Sequence, residues 1–486
     1  MLFNSVDFLI FFPITLTLYF LIVPKYRYLL LLAVSYYFYM QWNPKYIVLL
    51  FVSTAVTYAG GLFLENVKEK GKRKICLISG LMINLIILGY FKYGNMVMEY
   101  LNRILQFTGR QLPWDYNIVL PVGISFFTLQ ALGYLIDVYR GDTRAEHNFL
   151  KYALFISFFP QLVAGPIERS KNLLKQLAVP KPFSYDRLRR GLLIMVYGFF
   201  LKVVIADRIA IFVNAVYNGP VMYPGAYIAA ATVGFAIQIY CDFYGYSTIA
   251  KGAALTMGIE LMENFNAPYY SKSIQEFWRR WHISLSTWFR DYLYIPLGGN
   301  RKGTVRKYIN LMIVFSISGL WHGASMAFVL WGVLHGLFQI AGSCFSFLCQ
   351  KYGVKWHRTG TDDILRMLLT FALVCFAWIF FRAGRLSTAK LIFSQLFGAD
   401  NAFVLINGSL FGLGVDQHFF RVLVVSILLM GIVDYMKYKD KNVVDLFFAQ
   451  HLWFRVLAAA ALTLFVIAYG CYGSTFDVQQ FIYFQF

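Results

Sequence analysis

The chain has 486 residues, of which 59% are hydrophobic, 19% aromatic and only 14% charged. Repeated apolar runs approach the roughly 20 residues that are needed to cross a bilayer, so the composition excludes a soluble globular protein and indicates a polytopic membrane protein. The net charge of +20 lies in short basic clusters between the apolar runs, which is a topology signal and not a nucleic-acid surface.

Taken in chain order, the apolar runs define a series of candidate membrane helices. They lie at 6–23, 28–41, 45–65, 75–93, 117–138, 150–164, 191–217, 226–250, 308–320, 322–348, 364–382, 419–436 and 453–472. Some are short or are interrupted by Gly or Pro, so the sequence predicts an all-α protein with about 11–13 transmembrane helices.

The basic loops set the expected orientation. Lys25 and Arg27 follow the first candidate helix, and a basic cluster at 68–74 follows the third. Because cytoplasmic loops retain Lys and Arg, both loops are expected inside the cell and the N-terminus outside. The basic segment 436–441 precedes the last candidate helix, which places the tail 473–486 on the extracytoplasmic side.

The segment 274–295 is too polar to cross lipid and too apolar for water, which is typical of an interfacial or re-entrant helix. On one continuous helix, four of its polar residues would form a single stripe at intervals of three and four. These residues are Arg279, His282, Ser286 and Arg290. Trp278 and Trp281 occupy neighbouring positions, so the pattern predicts a polar stripe in an aromatic frame, which suits a tunnel wall.

His322 lies in a second motif, SGLWHGAS at 318–325, next to Trp321 and between two glycines that allow close approach of a backbone or a substrate. A neutral imidazole, with an ordinary pKa of roughly 6.5, can take a proton from a hydroxyl group near physiological pH. His322 is therefore predicted as a general base; the alternative is a hydrogen-bonding link between helices. His335, off the same helical face, is predicted to be structural.

Other kinds of site are not indicated. The sequence contains no GxSxG, HExxH, Walker or Rossmann pattern in a suitable context, and its six cysteines show no paired metal-ligand spacing. We therefore predict no metal ion and no tightly bound cofactor.

Four segments together resemble the membrane-bound O-acyltransferase family. They are the run from MENFNAPYY to PLGGNR at 262–301, SGLWHGAS at 318–325, FPQLVAGPIER at 159–169 and CDFYGYSTIAKG at 241–252. The chain is most similar to the bacterial branch that contains alginate and peptidoglycan O-acetyltransferases and the teichoic acid D-alanylation protein. The resemblance covers nearly the whole chain, with one departure at Thr248, where acetylating relatives often have Asp.

The resemblance implies a ring of membrane helices over residues 1–472, with re-entrant or interfacial helices around a central tunnel. His322 matches the nearly invariant histidine of the family, and His282 occupies the second polar position of its site. His282, with Arg279 or Ser286, would hold the donor carbonyl or stabilise the oxyanion. Trp278, Trp281 and Trp321 would shape the tunnel and exclude water. Acetyl-CoA or another cytosolic acyl donor is expected as a substrate.

The C-terminal tail 473–486 ends in FIYFQF, which is similar to a terminal motif of this bacterial branch. The resemblance implies that Tyr483 is a covalent acyl carrier. A phenol, with a pKa of roughly 10, is easier to deprotonate than a sugar alcohol and is a better leaving group afterwards. The alternative is that these aromatic residues anchor the tail at the membrane surface.

The expected function is transfer of an acyl group, most simply acetyl, through a bacterial cytoplasmic membrane to an exopolysaccharide or another cell-envelope glycan. The expected partners are the acyl donor, the glycan acceptor, membrane lipid and an extracytoplasmic acetyltransferase of the serine hydrolase-like type, and no nucleic acid. D-alanyl transfer to teichoic acid is the alternative within the family. A transporter or polymer flippase without acyl chemistry is the alternative from another class.

Overall fold

The computed structural model describes residues 1–109, 117–223, 225–353, 360–398, 402–472 and 482. Every regular element in these ranges is helical, so the prediction of an all-α protein is confirmed. The chain forms two compact units. The first comprises Met1–Met195 and Ile249–Met262, and the second comprises Val196–Thr248 and Glu263–Phe486.

The first unit is built from helices that pack closely through small and polar residues. Its helices are α1 (Val6–Leu21), α2 (Arg27–Met40), α3 (Ile47–Asn66), α4 (Lys70–Gln106), α5 (Ile124–Arg140), α6 (Phe149–Ser157), α7 (Phe159–Leu162), α8 (Ser170–Ala178) and most of α9 (Tyr185–Phe199). The Tyr152 hydroxyl of α6 donates to the Thr57 hydroxyl of α3 at 2.7 Å, and Ser53 donates to Asn84 at 2.5 Å. Such bonds satisfy polar groups that have no water to contact inside a membrane.

The second unit holds all the predicted site residues that the structure describes. Its helices are α10 (Asp207–Asn218), most of α11 (Ala226–Thr256), α12 (Ile274–Arg280), α13 (Ile283–Phe289), α14 (Thr304–His322), α15 (Met326–Lys351), α16 (Gly360–Ala383), α17 (Leu386–Leu396), α18 (Gln417–Tyr438), α19 (Val443–Phe448) and α20 (Leu452–Tyr469).

Two stretches of this unit are π-helical. Phe200–Ala206 connects α9 to α10, and Arg290–Tyr294 continues α13. In the first stretch the Asp207 N–H donates to the Lys202 carbonyl, five residues earlier, instead of following the α-helical spacing of four. π-helical turns are rare in proteins, and those that occur inside helices are often found at functional sites.

Within the described residues, seven helices are long and apolar enough to cross a membrane. They are Pro44–Asn66, Lys70–Gln106, Ala226–Thr256, Met326–Lys351, Gly360–Ala383, Gln417–Tyr438 and Leu452–Tyr469. This number is below the predicted 11–13 because several predicted segments form shorter or less apolar helices. The predicted segment 150–164, for example, divides into α6 and α7 in front of Pro160.

Candidate active site

His322 is the last residue of α14, at the turn of a helical hairpin with α15. The two helices approach so closely that a Cβ atom on Gly332 would lie 2.1 Å from the Phe315 carbonyl oxygen. A Cβ atom on Gly319 would lie 2.2 Å from the Phe328 carbonyl oxygen. Glycine is therefore required at both contacts, as the small residues around the SGLWHGAS motif predict. This packing fixes the end of α14 and buries His322, which is 3% exposed.

His282 lies at a break between two short helices. α12 ends at Arg280 and α13 begins at Ile283, and His282 between them has a left-handed backbone with φ of 44°. This conformation is uncommon for a residue other than glycine. Asn264 holds the break: its carbonyl accepts from the Ile283 N–H at 3.0 Å, and its side-chain oxygen accepts from the Ser284 hydroxyl at 2.6 Å. The break turns His282 inward, where it is 0% exposed.

The prediction of one continuous polar stripe is therefore wrong. The helical wheel assumed an unbroken helix, whereas the left-handed turn separates His282 from the other three polar residues. Arg279, Ser286 and Arg290 line a separate cavity of about 430 Å³, together with Trp278 and Lys307.

The two predicted catalytic histidines are neighbours in the structure. The ring centroids of His282 and His322 lie 6.4 Å apart. The Trp321 ring packs against both, at 4.9 Å from His322 and 6.2 Å from His282. The structure thus brings together two residues that are forty positions apart in sequence.

Aromatic residues that the sequence did not single out complete the wall around His322. Trp331 lies 5.0 Å from the His322 ring and Phe381 lies 5.5 Å from it, both edge-on. Trp378 stacks on Trp331 at 5.7 Å. In sequence these residues look like ordinary members of apolar helices, and only the packing of α14, α15 and α16 shows that they face the histidine.

The other predicted tryptophans occupy different positions. Trp278 lines the cavity, contacts Trp331 at 5.7 Å and donates from its Nε1–H to His335 Nδ1 at 3.2 Å. The indole rings of Trp278 and Trp331 therefore connect the cavity wall to the His322 pocket. Trp281 packs against Trp378 at 5.3 Å. The structural role of His335 stays a prediction, and its contact with Trp278 agrees with that role.

Burial determines the charge of His282. Loss of hydration lowers the pKa of this imidazole from 6.5 to about 3. His282 lies outside the seven spans and stays neutral at physiological pH. A neutral imidazole carries one N–H donor, so it can polarise a carbonyl oxygen by a hydrogen bond without bringing a positive charge.

A second buried polar cluster was not assigned a role from the sequence. The Lys202 ammonium, in the first π-helical stretch, lies 2.7 Å from a carboxylate oxygen of Asp207 and 2.7 Å from one of Asp242. We call these three residues the ion triad. Its members are 2–5% exposed. The available signal was the presence of ionisable residues inside predicted spans, which mark functional sites by default.

Tyr483 lies outside the described residues, so its predicted role is untested. Ile482, the residue before it, is described and is 2% exposed. Its backbone N–H donates to Asp242 Oδ2 at 2.7 Å.

The fold and the site define an all-helical, multi-pass membrane protein with a buried pair of histidines in an aromatic shell. Residues 142–386 match the family model of the membrane-bound O-acyltransferases, and the chain belongs to this family. It is accordingly an O-acyltransferase, as the sequence predicts.

Named relatives cover most of the chain. The chain is 41% identical over 401 residues to a probable alginate O-acetylase AlgI of Pseudomonas aeruginosa, covering 82% of this chain and 75% of the relative. It is 36% identical over 403 residues to a peptidoglycan O-acetyltransferase of Helicobacter pylori, covering 78% and 75%. It is 29% identical over 298 residues to a teichoic acid D-alanyltransferase of Bacillus subtilis, covering 58% and 74%.

Proposed function

We propose that the protein transfers acetyl groups from a cytosolic donor, through a bacterial cytoplasmic membrane, to hydroxyl groups of an exopolysaccharide or another cell-envelope glycan. The observation that carries this proposal is the contact between the buried rings of His282 and His322, 6.4 Å apart in an aromatic shell. Relatives that act on alginate and peptidoglycan by name support acetyl as the transferred group.

His322 is the general base of the proposed reaction. It removes the proton from the attacking hydroxyl as the new C–O bond forms and the donor C–S bond of a thioester breaks. The proton then passes to the leaving thiolate. The imidazolium formed in between lies at the C-terminal end of α14, where the helix dipole favours a positive charge. General base catalysis of this kind contributes roughly 10² to 10⁴ in rate.

His282 stabilises the oxyanion in this scheme. Because its burial keeps the imidazole neutral, it acts through an N–H donor and leaves proton abstraction to His322. The aromatic rings of Trp321 and Trp331 exclude water, which would otherwise hydrolyse the activated acyl group.

The cavity lined by Arg279, Arg290 and Lys307 is the proposed approach for an anionic donor such as acetyl-CoA. Three cationic side chains around one cavity attract phosphate groups, and the neighbouring basic segment 301–307 agrees with a cytoplasmic position. The Trp278 and Trp331 rings lie between this cavity and His322, so they are placed to guide the acyl end of the donor.

Tyr483 is the proposed acyl carrier between the two sides of the membrane. Its phenol oxygen forms the ester as the thioester breaks, and a glycan hydroxyl later displaces the phenolate, which regains a proton. An extracytoplasmic acetyltransferase of the serine hydrolase-like type is the expected partner for the second step. The orientation that the basic loops predict supports this order, because it places the tail outside.

Mass spectrometry of the C-terminal peptide tests the proposal. Wild-type protein, His322→Ala and His335→Ala are incubated with donor, and acyl adducts on Tyr483 and acylation of the glycan are measured. We expect an acetyl adduct in wild type and in His335→Ala, and a loss of roughly 10² to 10⁴ in transfer rate in His322→Ala. His335 is the matched control because it is an equally buried histidine, 0% exposed, in the adjoining helix.

The other outcomes separate the alternatives. A D-alanyl adduct would replace acetyl by D-alanine as the transferred group. No adduct, with glycan acylation intact in Tyr483→Phe, would reduce the tail to a membrane anchor. Equal transfer rates in the two alanine variants would contradict a catalytic His322 and leave both histidines as packing residues.

A further inference from the structure

We propose that Asp242 is a positioning residue that docks the C-terminal segment of the chain, through the backbone N–H of Ile482, onto the ion triad. The docking itself is independent of acyl transfer. Only the task of the docked segment, which is to present the tail to the histidine pocket, rests on the proposed function.

The two oxygens of the Asp242 carboxylate have different partners. Oδ1 lies 2.7 Å from the Lys202 ammonium, and Oδ2 accepts from the Ile482 N–H at 2.7 Å. Ile482 is 2% exposed, so this bond is shielded from water. Hydrogen bonds to an ionised acceptor are stronger than those between neutral groups. A residue 240 positions away is thereby held against α11.

Residues just before the tail contact the same part of the second unit. The Cys471 N–H donates to the Val203 carbonyl at 2.9 Å, and an Arg208 Nη2–H donates to the Tyr469 carbonyl at 2.8 Å. Val203 follows Lys202 in the π-helical stretch, whose departure from α-helical spacing leaves carbonyls available to other segments. Tyr469, Cys471 and Ile482 are thus bonded to the ion triad or to its sequence neighbours.

Charge explains why the ion triad accepts a backbone N–H. One Lys faces two carboxylates, so the three groups together carry an excess negative charge. Buried charge is tolerated only where hydrogen-bond donors compensate for it. The Ile482 N–H is such a donor, and a backbone donor allows docking whatever side chain stands at that position.

The docking point adjoins the histidine pocket. Phe243 follows Asp242 in α11, and its ring lies edge-on to His282 with centroids 4.6 Å apart. Gly245, further along the same turn, permits the close approach of the π-helical stretch, because a Cβ atom there would lie 2.9 Å from the Gly198 carbonyl oxygen and 3.0 Å from the Lys202 nitrogen. One turn of α11 therefore contacts Ile482, the other members of the ion triad and His282.

Cysteine labelling of the full-length protein tests the docking. Ile482→Cys is combined with Asp242→Ala or with Asp207→Ala, and N-ethylmaleimide labelling at each cysteine is followed by mass spectrometry. The two alanine variants are a matched pair: both carboxylates pair with Lys202 and are buried, and Asp242 is the one bonded to Ile482. The exposed Cys344 normalises the reaction, and the buried Cys375 reports on the fold.

We expect Asp242→Ala to raise the labelling rate of the thiol introduced by Ile482→Cys at least tenfold, and Asp207→Ala to leave it within twofold of the parent. Equal rates in the two variants would overturn the docking. If Cys375 also becomes reactive in Asp242→Ala, the pair is remade as Asp242→Leu and Asp207→Leu, which fill the vacated space, and the same criterion applies.

Activity distinguishes this inference from the proposed function. Faster labelling of the introduced thiol together with full transfer in Tyr483→Phe would leave a docked tail that is not an acyl carrier. Equal labelling in Asp242→Ala and Asp207→Ala, together with lost transfer in Tyr483→Phe, would support Tyr483 as the acyl carrier and contradict the docking. If Asp242 docks the tail and Tyr483 is the acyl carrier, Asp242→Ala lowers the rate of Tyr483 acylation at least tenfold, and Asp207→Ala does not.

Discussion

The histidine pocket and the ion triad bury polar groups in opposite ways. The pocket surrounds His282 and His322 with aromatic rings, and burial keeps His282 uncharged. The ion triad instead places the Lys202 side chain 2.7 Å from each of two carboxylates, so that groups of opposite charge contact one another. A weakly polar pocket suits a histidine that acts in its neutral form, whereas a buried set of ion pairs suits groups that hold a segment in position.

The difference predicts which substitutions affect chemistry and which affect folding. Removing a neutral histidine leaves a space between rings. Removing Lys202 from the ion triad leaves two buried carboxylates without the cation that they share, which is far more costly. The largest expected effect on stability therefore belongs to the ion triad.

Lys202→Met tests this expectation directly. It leaves two buried carboxylates facing each other, and the unfolding free energy is expected to fall by roughly 3–5 kcal/mol. Thermal unfolding in detergent measures the loss. Lys302→Met, at an exposed position, is the control and should change stability little.

The triple variant Lys202→Met, Asp207→Leu, Asp242→Leu sharpens the same comparison. With no charge left in the triad, it should regain most of the stability lost in Lys202→Met. Its tail should nevertheless be released, because the acceptor for Ile482 is absent. Stability as low as that of Lys202→Met would show that packing, and not unpaired charge, dominates this region.

The local structure around His322 could be predicted from the sequence better than that around His282. The close approach beside His322 could be predicted because Gly319 and Gly323 flank it in the sequence, while the catalytic role of His322 stays a prediction. The inward turn of His282 could not, because nothing between Trp281 and Ile283 signals a helix break. What stabilises that turn is Asn264, eighteen residues earlier, through contacts that only the folded chain brings together.

The ion triad illustrates a second limit. The motif that contains Asp242 carries the family resemblance, whereas its partners Lys202 and Asp207 lie in the candidate membrane helix 191–217, outside the four segments that carry it. A helical period says which residues share a face but not which distant helix meets that face. The π-helical stretch that orients Lys202 has no recognisable sequence signature either.

His282→Gln provides a test of the neutral pocket through pH. The folded pKa of His282 is about 3, below the roughly 6.5 of an unfolded histidine, so between these values the unfolded state binds the extra proton. Protonation of the unfolded state therefore leaves the free energy of unfolding of the wild type unchanged above about pH 6.5. Below that pH it lowers the free energy of unfolding, by about 1.4 kcal/mol at pH 5.5.

The glutamine variant has no group that titrates at position 282. Its free energy of unfolding should therefore fall less between pH 7.5 and 5.5 than that of the wild type. Unfolding in detergent at several pH values measures the slopes. His418→Gln, at an exposed position, controls for the loss of one histidine. Identical slopes for wild type and His282→Gln would mean that His282 is hydrated or paired with a carboxylate.

The smallest expected effect concerns the cavity, because Arg279 and Arg290, two of the cationic residues that line it, are exposed. Arg279 is exposed and lines the cavity with Arg290 and Lys307, so solvent screens its charge. If an anionic donor enters there, Arg279→Gln should raise the KM for the donor roughly two- to fivefold with kcat unchanged, the size expected of an exposed charge pair.

Added salt should reduce this difference, because screening weakens the wild-type contact while the variant has none to lose. Arg301→Gln is the matched control, since Arg301 is an exposed arginine of the neighbouring basic segment 301–307 and does not line the cavity. A kcat effect in Arg279→Gln would instead place the guanidinium at the reacting carbonyl, and an equal KM effect in Arg301→Gln would indicate general attraction to a basic surface.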